Sequence, residues 1–397
     1  MKKIMLYNTK QNHPAIWPNM MSLAEGFHKC GRETVLCNLD DLESLQAGYR
    51  LLLDPQQVYF TIGMNNLGMY LPTPEGELFP VYHELDIPHV SVMLDMPYNH
   101  CISGFDVPCK NHIVTLLDPF LNDYLTHVYP DKQMHTLFLP LGGSSELDAS
   151  SVFSSKRIYD VVVSASWWGS EKIERSWHTE SLNQGITGIL DDVADYLEMY
   201  PVNTMAAFRE ILSQRGLMDK EYWQKLIPFF EWMQRYIKPY RRLKSVEFLV
   251  QSGIPVDVFG AGWENAPFAN HLNLHGGVSY EETLKIFSQA RIVYQDQAEF
   301  NHGAHDRVFT AMLNGAVVVS EYSTYLDKEF IDGQDLFMFD WKHGQEQVGI
   351  IPELLSDEPR RLAIAFNAYS KADKKHRWVN RAQRILEAVN ILYPEAK

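Results

Sequence analysis

The sequence has few cysteines, no long apolar run and fewer basic than acidic residues. No run approaches the roughly 18 apolar residues of a membrane-spanning helix, so none is predicted. The formal net charge of -15 argues against a nucleic-acid-binding protein, which tracks phosphates with a basic face. The cysteines form no Cys-x-x-Cys pair and are too scattered for a disulfide framework or a zinc ribbon. They are Cys30, Cys37, Cys101 and Cys109.

The composition is that of a packed globular protein, with 46% apolar and 21% charged residues in 397. The first residues, MKKIMLYN, carry too few apolar positions after the two lysines for a signal peptide, and they predict a β-strand instead. These features predict a cytoplasmic protein, and peripheral contact with a membrane is not favoured.

Short apolar runs alternate with helical patterns along the chain, which is typical of a parallel α/β architecture. The sequence therefore predicts two Rossmann-like domains that face a cleft, over residues 1–150 and 151–375. The predicted strands lie near 3–7, 34–37, 57–62, 89–94, 113–117 and 135–139 in the first half, and near 158–164, 255–259, 272–274, 291–295, 316–320 and 336–339 in the second.

The segment from about 165 to 240 shows almost no strand pattern and predicts a helical insertion in the C-terminal half, with helices near 205–215 and 219–240. One apolar stripe in this insertion has helical spacing, and we expect it to pack on the second domain. It comprises Tyr222, Leu226, Phe229, Phe230, Met233 and Ile237. The alternative is a helix on a membrane surface or a partner, because Lys238, Arg241, Arg242 and Lys244 follow. A terminal helix within 376–397 is expected to pack back on the first domain.

The most informative stretch follows the predicted strand 291–295, where a loop with Gly303 leads into a helix that starts near Asp306. A helix start offers free backbone N–H groups and a positive dipole end, which suit a phosphate. Arg307 has the shape for bidentate phosphate contacts, and His302 and His305 add donors. The alternative for Arg307 is a salt bridge on a solvated helix face. No third ligand accompanies the two histidines, so no metal site is predicted.

Two glycine-containing loops at the same predicted edge are candidates for contacts with a nucleotide. Gly260 and Gly262 permit a close backbone approach, and Gly277 and Val278 precede a helix whose cap is predicted at Ser279. In addition, Glu321 follows an apolar strand at a point where a carboxylate can accept bonds from a ribose or sugar hydroxyl.

In the first half, Asp95 follows the strand 89–94 and is a candidate general base. An Asx-turn that caps the next segment is an equally good interpretation of this residue. His13, in the loop after the first strand, is a second and weaker candidate.

The second half resembles the CgeB-like glycosyltransferases, a group named for a spore-maturation protein. The resemblance covers about 250–342 and lies in VDVFGAGW, HGGVSYEET and the run from ARIVYQDQ through AHDRVFTAMLNGAVVVSE to DLFMFD. The segment LDMPYN and the helical insertion are similar to longer members of the same group.

The resemblance implies the two-Rossmann GT-B fold, with a donor nucleotide held by the C-terminal domain and no bound metal. It places the diphosphate at the helix led by His305, Asp306 and Arg307, and the base near Gly277 and Val278. Related retaining enzymes use a Glu-x7-Glu pair, in which the second Glu binds the ribose. His302 and Thr310 stand at those positions here, so retention of stereochemistry does not follow from the resemblance.

These observations together predict a metal-independent glycosyltransferase of the hexosyl or N-acetylhexosaminyl class. The donor is a nucleotide diphosphate sugar, with a UDP-sugar favoured, and the acceptor is a hydroxyl of a protein, a glycan or a small molecule. The first domain is expected to hold the acceptor. Two other hypotheses remain open, a nucleotide-sugar epimerase of the same fold and a non-catalytic sugar-nucleotide-binding scaffold.

Overall fold

The computed structural model describes residues 2–10, 15–54, 56–72, 77–83, 85–99, 104–107, 109–169, 174–218, 220–297 and 299–396. The chain divides into two compact units, one of Met1–Gly142 with Lys375–Lys397 and one of Gly143–Lys374. The sequence predicts the first boundary at residue 150. Each unit is built on a six-stranded parallel sheet with helices, which confirms the predicted fold class.

The first unit is built on β3, in which every residue is buried, as is typical of a parallel strand covered on both faces. The order of its parallel sheet is β2-β1-β3-β6-β7-β8, and β4 and β5 form a short antiparallel ribbon. The elements before Gly142 are β1 (Lys3–Asn8), α1 (Ile16–Lys29), β2 (Thr34–Asn38), α2 (Leu42–Leu52), β3 (Val58–Met64), β4 (Leu71–Pro72), β5 (Leu78–Phe79), β6 (His89–Val92), β7 (His112–Leu116), α3 (Leu121–Val128) and β8 (Met134–Phe138).

The second unit has the sheet order β11-β10-β9-β12-β13-β14. The chain leaves β9 toward β10 and later returns to its other side with β12, so the strand order reverses between β9 and β12. Its elements are β9 (Tyr159–Ser164), α4 (Gln184–Met199), α5 (Thr204–Gln214), α6 (Lys220–Leu226), α7 (Phe230–Gln251), β10 (Asp257–Phe259), β11 (Asn273–Gly276), α8 (Tyr280–Gln289), β12 (Ala290–Gln295), α9 (Asp306–Leu313), β13 (Val317–Glu321), α10 (Thr324–Glu329), β14 (Phe337–Phe339), α11 (Gly344–Gln347), α12 (Ile350–Ser356) and α13 (Glu358–Lys375).

The segment between β9 and β10 is helical, and the predicted apolar stripe is buried at Leu226, Phe230, Met233 and Ile237. The side chain of Tyr222 lies outside the part of the chain that the structure describes. Three features differ from the prediction. A 3-10 turn at Ile227–Phe229 interrupts the predicted helix 219–240, and α7 continues beyond residue 240 to Gln251. The helix α4 is absent from the predicted elements.

The arginines that follow the stripe do not form a basic surface. Arg241 is almost fully buried, and its Nη2 donates to the carbonyl oxygens of Leu197, Tyr200 and Val202 at the C-terminal end of α4. A cation at that end of a helix complements the helix dipole. Arg241 therefore does not contribute to the basic face that a membrane-surface helix would need. Among the described residues, no helix combines the length and apolarity needed to cross a bilayer.

The last helix, α14 (Trp378–Leu392), belongs to the first unit and packs on α1. The two helices approach closely at Gly26, where an added Cβ would lie 2.9 Å from the carbonyl oxygen of Trp378. Arg381 is buried on α14 and donates from Nε to the carbonyl oxygen of Pro140 at 2.5 Å and from Nη2 to that of Leu141 at 3.1 Å. These bonds tie α14 to the segment that follows β8.

Two histidines are buried at the amino ends of neighbouring strands in the first unit. His89 Nδ1 lies 2.9 Å from the Thr61 hydroxyl, and His112 Nε2 lies 2.8 Å from the Ser91 hydroxyl. Burial lowers the pKa of both rings, to about 4 for His112. Both rings are therefore neutral in the folded unit at neutral pH.

Acidification is expected to destabilise the first unit, because the unfolded histidines take up protons near pH 6.5 and the folded ones resist them. Stability is complete above about pH 6.5 and falls by up to about 1.4 kcal/mol per pH unit for each ring as the pH approaches 4. Urea denaturation between pH 7 and pH 4.5 measures this slope. His112→Gln keeps a partner for Ser91 and should flatten the slope, and an unchanged slope would contradict the assignment.

Candidate functional site

The strand order of the second unit reverses between β9 and β12, and open α/β sheets bind ligands at the carboxyl ends of strands at such a point. Arg307, the second residue of α9, lies there. Its Nη1 donates at 2.5 Å to the carbonyl oxygen of Ser164, the last residue of β9. Its Nη2 is buried, lies 3.9 Å from Asp296 Oδ1, and forms no hydrogen bond with the residues that the structure describes. Arg307 therefore has donor capacity that these residues leave unused.

Asp296, directly after β12, is the buried anion of this site. Arg242 of α7 holds it with two parallel bonds, Nε to Oδ1 at 3.1 Å and Nη2 to Oδ2 at 3.2 Å. Burial alone raises the pKa of Asp296, but Arg242 and Arg307 outweigh that effect and hold the pKa well below its usual range. One carboxylate thus serves two guanidinium groups, and burial lowers the pKa of Arg307 to about 10.

His305 occupies the N-cap position of α9. Its Nδ1 lies 2.5 Å from Asp306 Oδ1 and 3.3 Å from the backbone N of Arg307. Because the contact with Asp306 is far shorter, we assign the ring proton to Nδ1. Burial and the charge of Arg307 lower the pKa of His305, and Asp306 opposes them. His302 points to a different neighbour, with Nδ1 2.9 Å from the hydroxyl of Thr324.

Glu321 is fully buried at the end of β13, and protein donors occupy both of its oxygens. Oε2 accepts from the backbone N of Gln297 at 2.9 Å, and Oε1 accepts from Trp341 Nε1 at 2.5 Å. Burial raises its pKa to about 7. Gln297 in turn accepts from the backbone N of His305 at 3.1 Å. Glu321 therefore holds the loop that leads to α9, a structural role that the sequence did not predict.

Gly260 and Gly262 lie against the loop that follows β9. An added Cβ at Gly260 would lie 2.1 Å from the carbonyl oxygen of Ala165, and one at Gly262 would lie 1.9 Å from that of Trp167. Gly262 also has a φ of 91°. Internal packing therefore accounts for both glycines. By contrast, the nearest atom to an added Cβ at Gly277 is 3.9 Å away, and Val278 packs partly against the buried core.

Gly262→Ala is expected to destabilise the second unit by about 2 kcal/mol or more, because the new Cβ meets backbone and the positive φ disfavours alanine. Gly277→Ala is the matched control, since its Cβ enters nearly open space. Thermal or urea unfolding of the two variants measures the difference. Equal stability of the two variants would contradict the packing role of Gly262.

In the first unit, Asp95 lies just after β6 and is half-buried. Its Oδ2 accepts from Asn65 Nδ2 at 3.1 Å, and Asn65 Oδ1 accepts from the backbone N of Leu94 at 2.7 Å. Asn65 and Asn66 have positive φ values of 49° and 62°, in the turn that follows β3. His13 lies outside the described residues.

The residues at the switch point were only partly predicted. His305 and Arg307 were predicted from the sequence, whereas Asp296 and Arg242 were not. Asp296 could have been selected by its place directly after a strand. Arg242 had no such signal, because it is 54 residues away from Asp296 in the chain. Among the described residues, no group of three or more His, Cys, Asp or Glu side chains is arranged to hold a metal ion.

Residues 238–387 match a family described as glycosyl transferase-like. The match covers less than half of the chain, but it includes Arg242, Asp296 and Arg307. The part of the second unit that carries the site is therefore glycosyl transferase-like in sequence. No curated protein matches the chain.

Solved structures resemble the chain over its full length. Sucrose-phosphate synthase from Thermosynechococcus elongatus is 9% identical, with 100% of each chain covered and a TM-score of 0.50. HepE of Anabaena, solved with UDP-glucose, is 11% identical, with 98% of this chain and 100% of that chain covered and a TM-score of 0.48. At such identities the likeness to the synthase shows the fold alone, and it agrees with two Rossmann-like units of the GT-B type.

Proposed function

We propose that the protein transfers a sugar from a nucleotide diphosphate sugar to an acceptor hydroxyl, as a metal-independent glycosyltransferase of the CgeB-like kind. The observation that carries this proposal is Arg307, a buried guanidinium at a helix start and a topological switch point, inside the glycosyl transferase-like region. One of its nitrogens has no hydrogen bond among the described residues.

The chemistry of the leaving group supports this assignment. Glycosyl transfer develops negative charge on the departing diphosphate, and fixed donors that face this charge lower the barrier. The second guanidinium nitrogen of Arg307 is a donor of this type. Asp296 is paired with Arg242 and lies 3.9 Å from Arg307 Nη2, and the charge of Asp306 also acts on Arg307.

The nucleobase is proposed to lie along the loop after β11. Every residue of β11 is exposed, and Gly276 at its end has a φ of 76°. Gly277 and Val278 follow, with open space beside Gly277. Backbone groups in such a loop can bond to the edge of a base. UDP-hexoses and UDP-N-acetylhexosamines are the first donors to test.

Asp95 of the first unit is proposed as the group that orients or deprotonates the acceptor hydroxyl. It stands at the carboxyl edge of its sheet, and the Asn65 amide fixes one of its oxygens and leaves Oδ1 for a hydroxyl. A base in this role is consistent with transfer by inversion. The acceptor is a protein, a glycan or a small molecule.

The experiment incubates the purified full chain with UDP-, GDP- and ADP-sugars and measures free nucleoside diphosphate and thermal stabilisation. We expect one nucleotide class to stabilise the chain and to be released slowly by transfer to water. Conversion of a donor to its epimer without nucleotide release would instead establish the epimerase. Stabilisation without turnover under any acceptor would establish the scaffold, and no binding at all would refute a nucleotide-sugar site.

A further inference from the structure

Trp168 lies in the loop after β9 and is exposed to solvent, unlike the other tryptophans that pack at this loop. It is 77% exposed, whereas its neighbour Trp167 is 1% exposed and Trp263, which packs against Trp167, is fully buried. Exposed single apolar side chains are common on protein surfaces and need no explanation by themselves. The structure around Trp168 is what distinguishes it.

The loop that presents Trp168 is fixed by side chains from elements on both sides. The carbonyl oxygen of Ala165 accepts a hydrogen bond from Trp263 Nε1 at 2.7 Å. The carbonyl oxygen of Ser166 accepts one from Arg242 Nη1, also at 2.7 Å. The Trp167 backbone N donates to the carbonyl oxygen of Ala261 at 2.9 Å.

The far side of the loop is equally constrained. Trp167 Nε1 donates to the carbonyl oxygen of Pro239 at 3.0 Å. Gly169 lies so close to the Trp167 ring that an added Cβ would come within 2.2 Å of it. Trp168 is therefore an exposed indole directly after Trp167, whose backbone and ring are both hydrogen-bonded, so part of the ordering cost of a ligand-binding loop is already met.

The loop also lies at the edge of the sheet where ligands are expected. Ser164, at its start, is the residue whose carbonyl oxygen bonds to Arg307 Nη1. The chain from Ser164 to Trp168 spans at most about 14 Å even when it is fully extended. In a nucleotide diphosphate sugar, the sugar is bonded directly to the diphosphate. A sugar that is bonded to a diphosphate at Arg307 and extends toward this loop therefore comes within reach of the Trp168 indole.

We propose that Trp168 is a binding residue for the donor sugar, with the indole face stacked on the apolar C–H face of a pyranose. This inference rests on the proposed function. The negative face of an indole attracts the weakly positive C–H groups of a sugar ring. The nucleobase is a less suitable partner for Trp168 than the sugar is. The base is proposed to lie at the open loop beside Gly277, which follows β11 at the far edge of the sheet, two strands from β9.

The test measures calorimetric binding for the wild type, Trp168→Ala, Trp168→Phe and Trp232→Ala. Trp232 is a control in the same unit, 36% exposed on α7 and outside the proposed site. The probes are UDP-glucose, UDP-N-acetylglucosamine, GDP-mannose and ADP-glucose, each compared with its free nucleoside diphosphate. For the donor that the wild type binds best, Trp168→Ala should weaken binding about tenfold and leave the free nucleoside diphosphate unchanged. Trp168→Phe should retain most of the affinity, and Trp232→Ala all of it.

Two results would overturn the inference about Trp168 and leave the proposed function standing. Equal weakening of the donor and of its nucleoside diphosphate would place the indole on the nucleotide, and unchanged binding of both would leave Trp168 without a ligand. If the wild type binds none of the probes, the proposed function fails and this inference fails with it. Thermal unfolding of each variant shows that the fold is intact, which is expected for a side chain this exposed.

Discussion

Replacing Arg307 with alanine is expected to weaken binding of the donor nucleotide by about 100-fold or more, because truncating one partner of a buried charge pair costs several kcal/mol. The Arg307 side chain is only 12% exposed, and the residue stands at the start of α9. Its loss would leave a bound diphosphate with the helix start alone. Calorimetric titration of the nucleoside diphosphate into the variant and the wild type measures this change.

Two further variants accompany this experiment. One separates the effect of the charge of Arg307 from that of its planar shape, and the other is a control. Arg307→Lys keeps the charge but not the planar fork, so it should recover only part of the affinity. Arg360→Ala is the control, since Arg360 is an exposed arginine of the same unit that pairs with Glu353. Because Arg307 also bonds to Ser164, thermal unfolding must show that the variant is folded. If folded Arg307→Ala binds the nucleoside diphosphate with wild-type affinity, the diphosphate does not bind at the start of α9.

Arg242→Met is expected to lower the free energy of unfolding by about 3 kcal/mol or more, because it leaves a buried carboxylate without its main partner. Asp296 is 2% exposed and accepts both parallel bonds from Arg242. The loss should also disturb the loop after β9, where Arg242 donates to the carbonyl oxygen of Ser166. Urea denaturation of the two proteins measures the difference.

The coupling between the two side chains can be isolated with a double variant. Arg242→Met with Asp296→Asn should be less destabilised than the sum of the two single variants, because the uncompensated charge is gone. The pKa of Asp296 lies below its unfolded value, so the pair stabilises above about pH 4 and this effect is lost as the pH falls. Additive single effects with no dependence on pH would contradict the pairing.

The strands were predictable from the sequence because parallel strands buried on both faces are continuous apolar runs. The strands of the two parallel sheets begin and end close to the predicted positions, as β12 and β13 illustrate. Helices were less predictable near prolines. The predicted helix 219–240 includes Pro228, where the structure has a 3-10 turn between α6 and α7, as the lost hydrogen bond of a proline would lead one to expect. Pro239 lies inside α7, and Trp167 Nε1 bonds to its carbonyl oxygen.

Residues of the candidate site could be selected from the sequence only where the local sequence carried their chemistry. A loop before a helix start with His305 and Arg307 indicates an anion site without any knowledge of the fold. The partners of Arg307 could not be found in this way, because Arg242 and Ser164 reach the site from other parts of the chain. At Gly262 the close approach of the Trp167 backbone is a second reason for a glycine, and the predicted ligand contact stays a prediction.

A structure of the full chain with its preferred nucleoside diphosphate tests the central claim most directly. The account predicts the diphosphate at the start of α9, with an oxygen within hydrogen-bond distance of Arg307 Nη2 and the base beside Gly277. A diphosphate bound away from α9, with Arg307 Nη2 still lacking a partner, would contradict it.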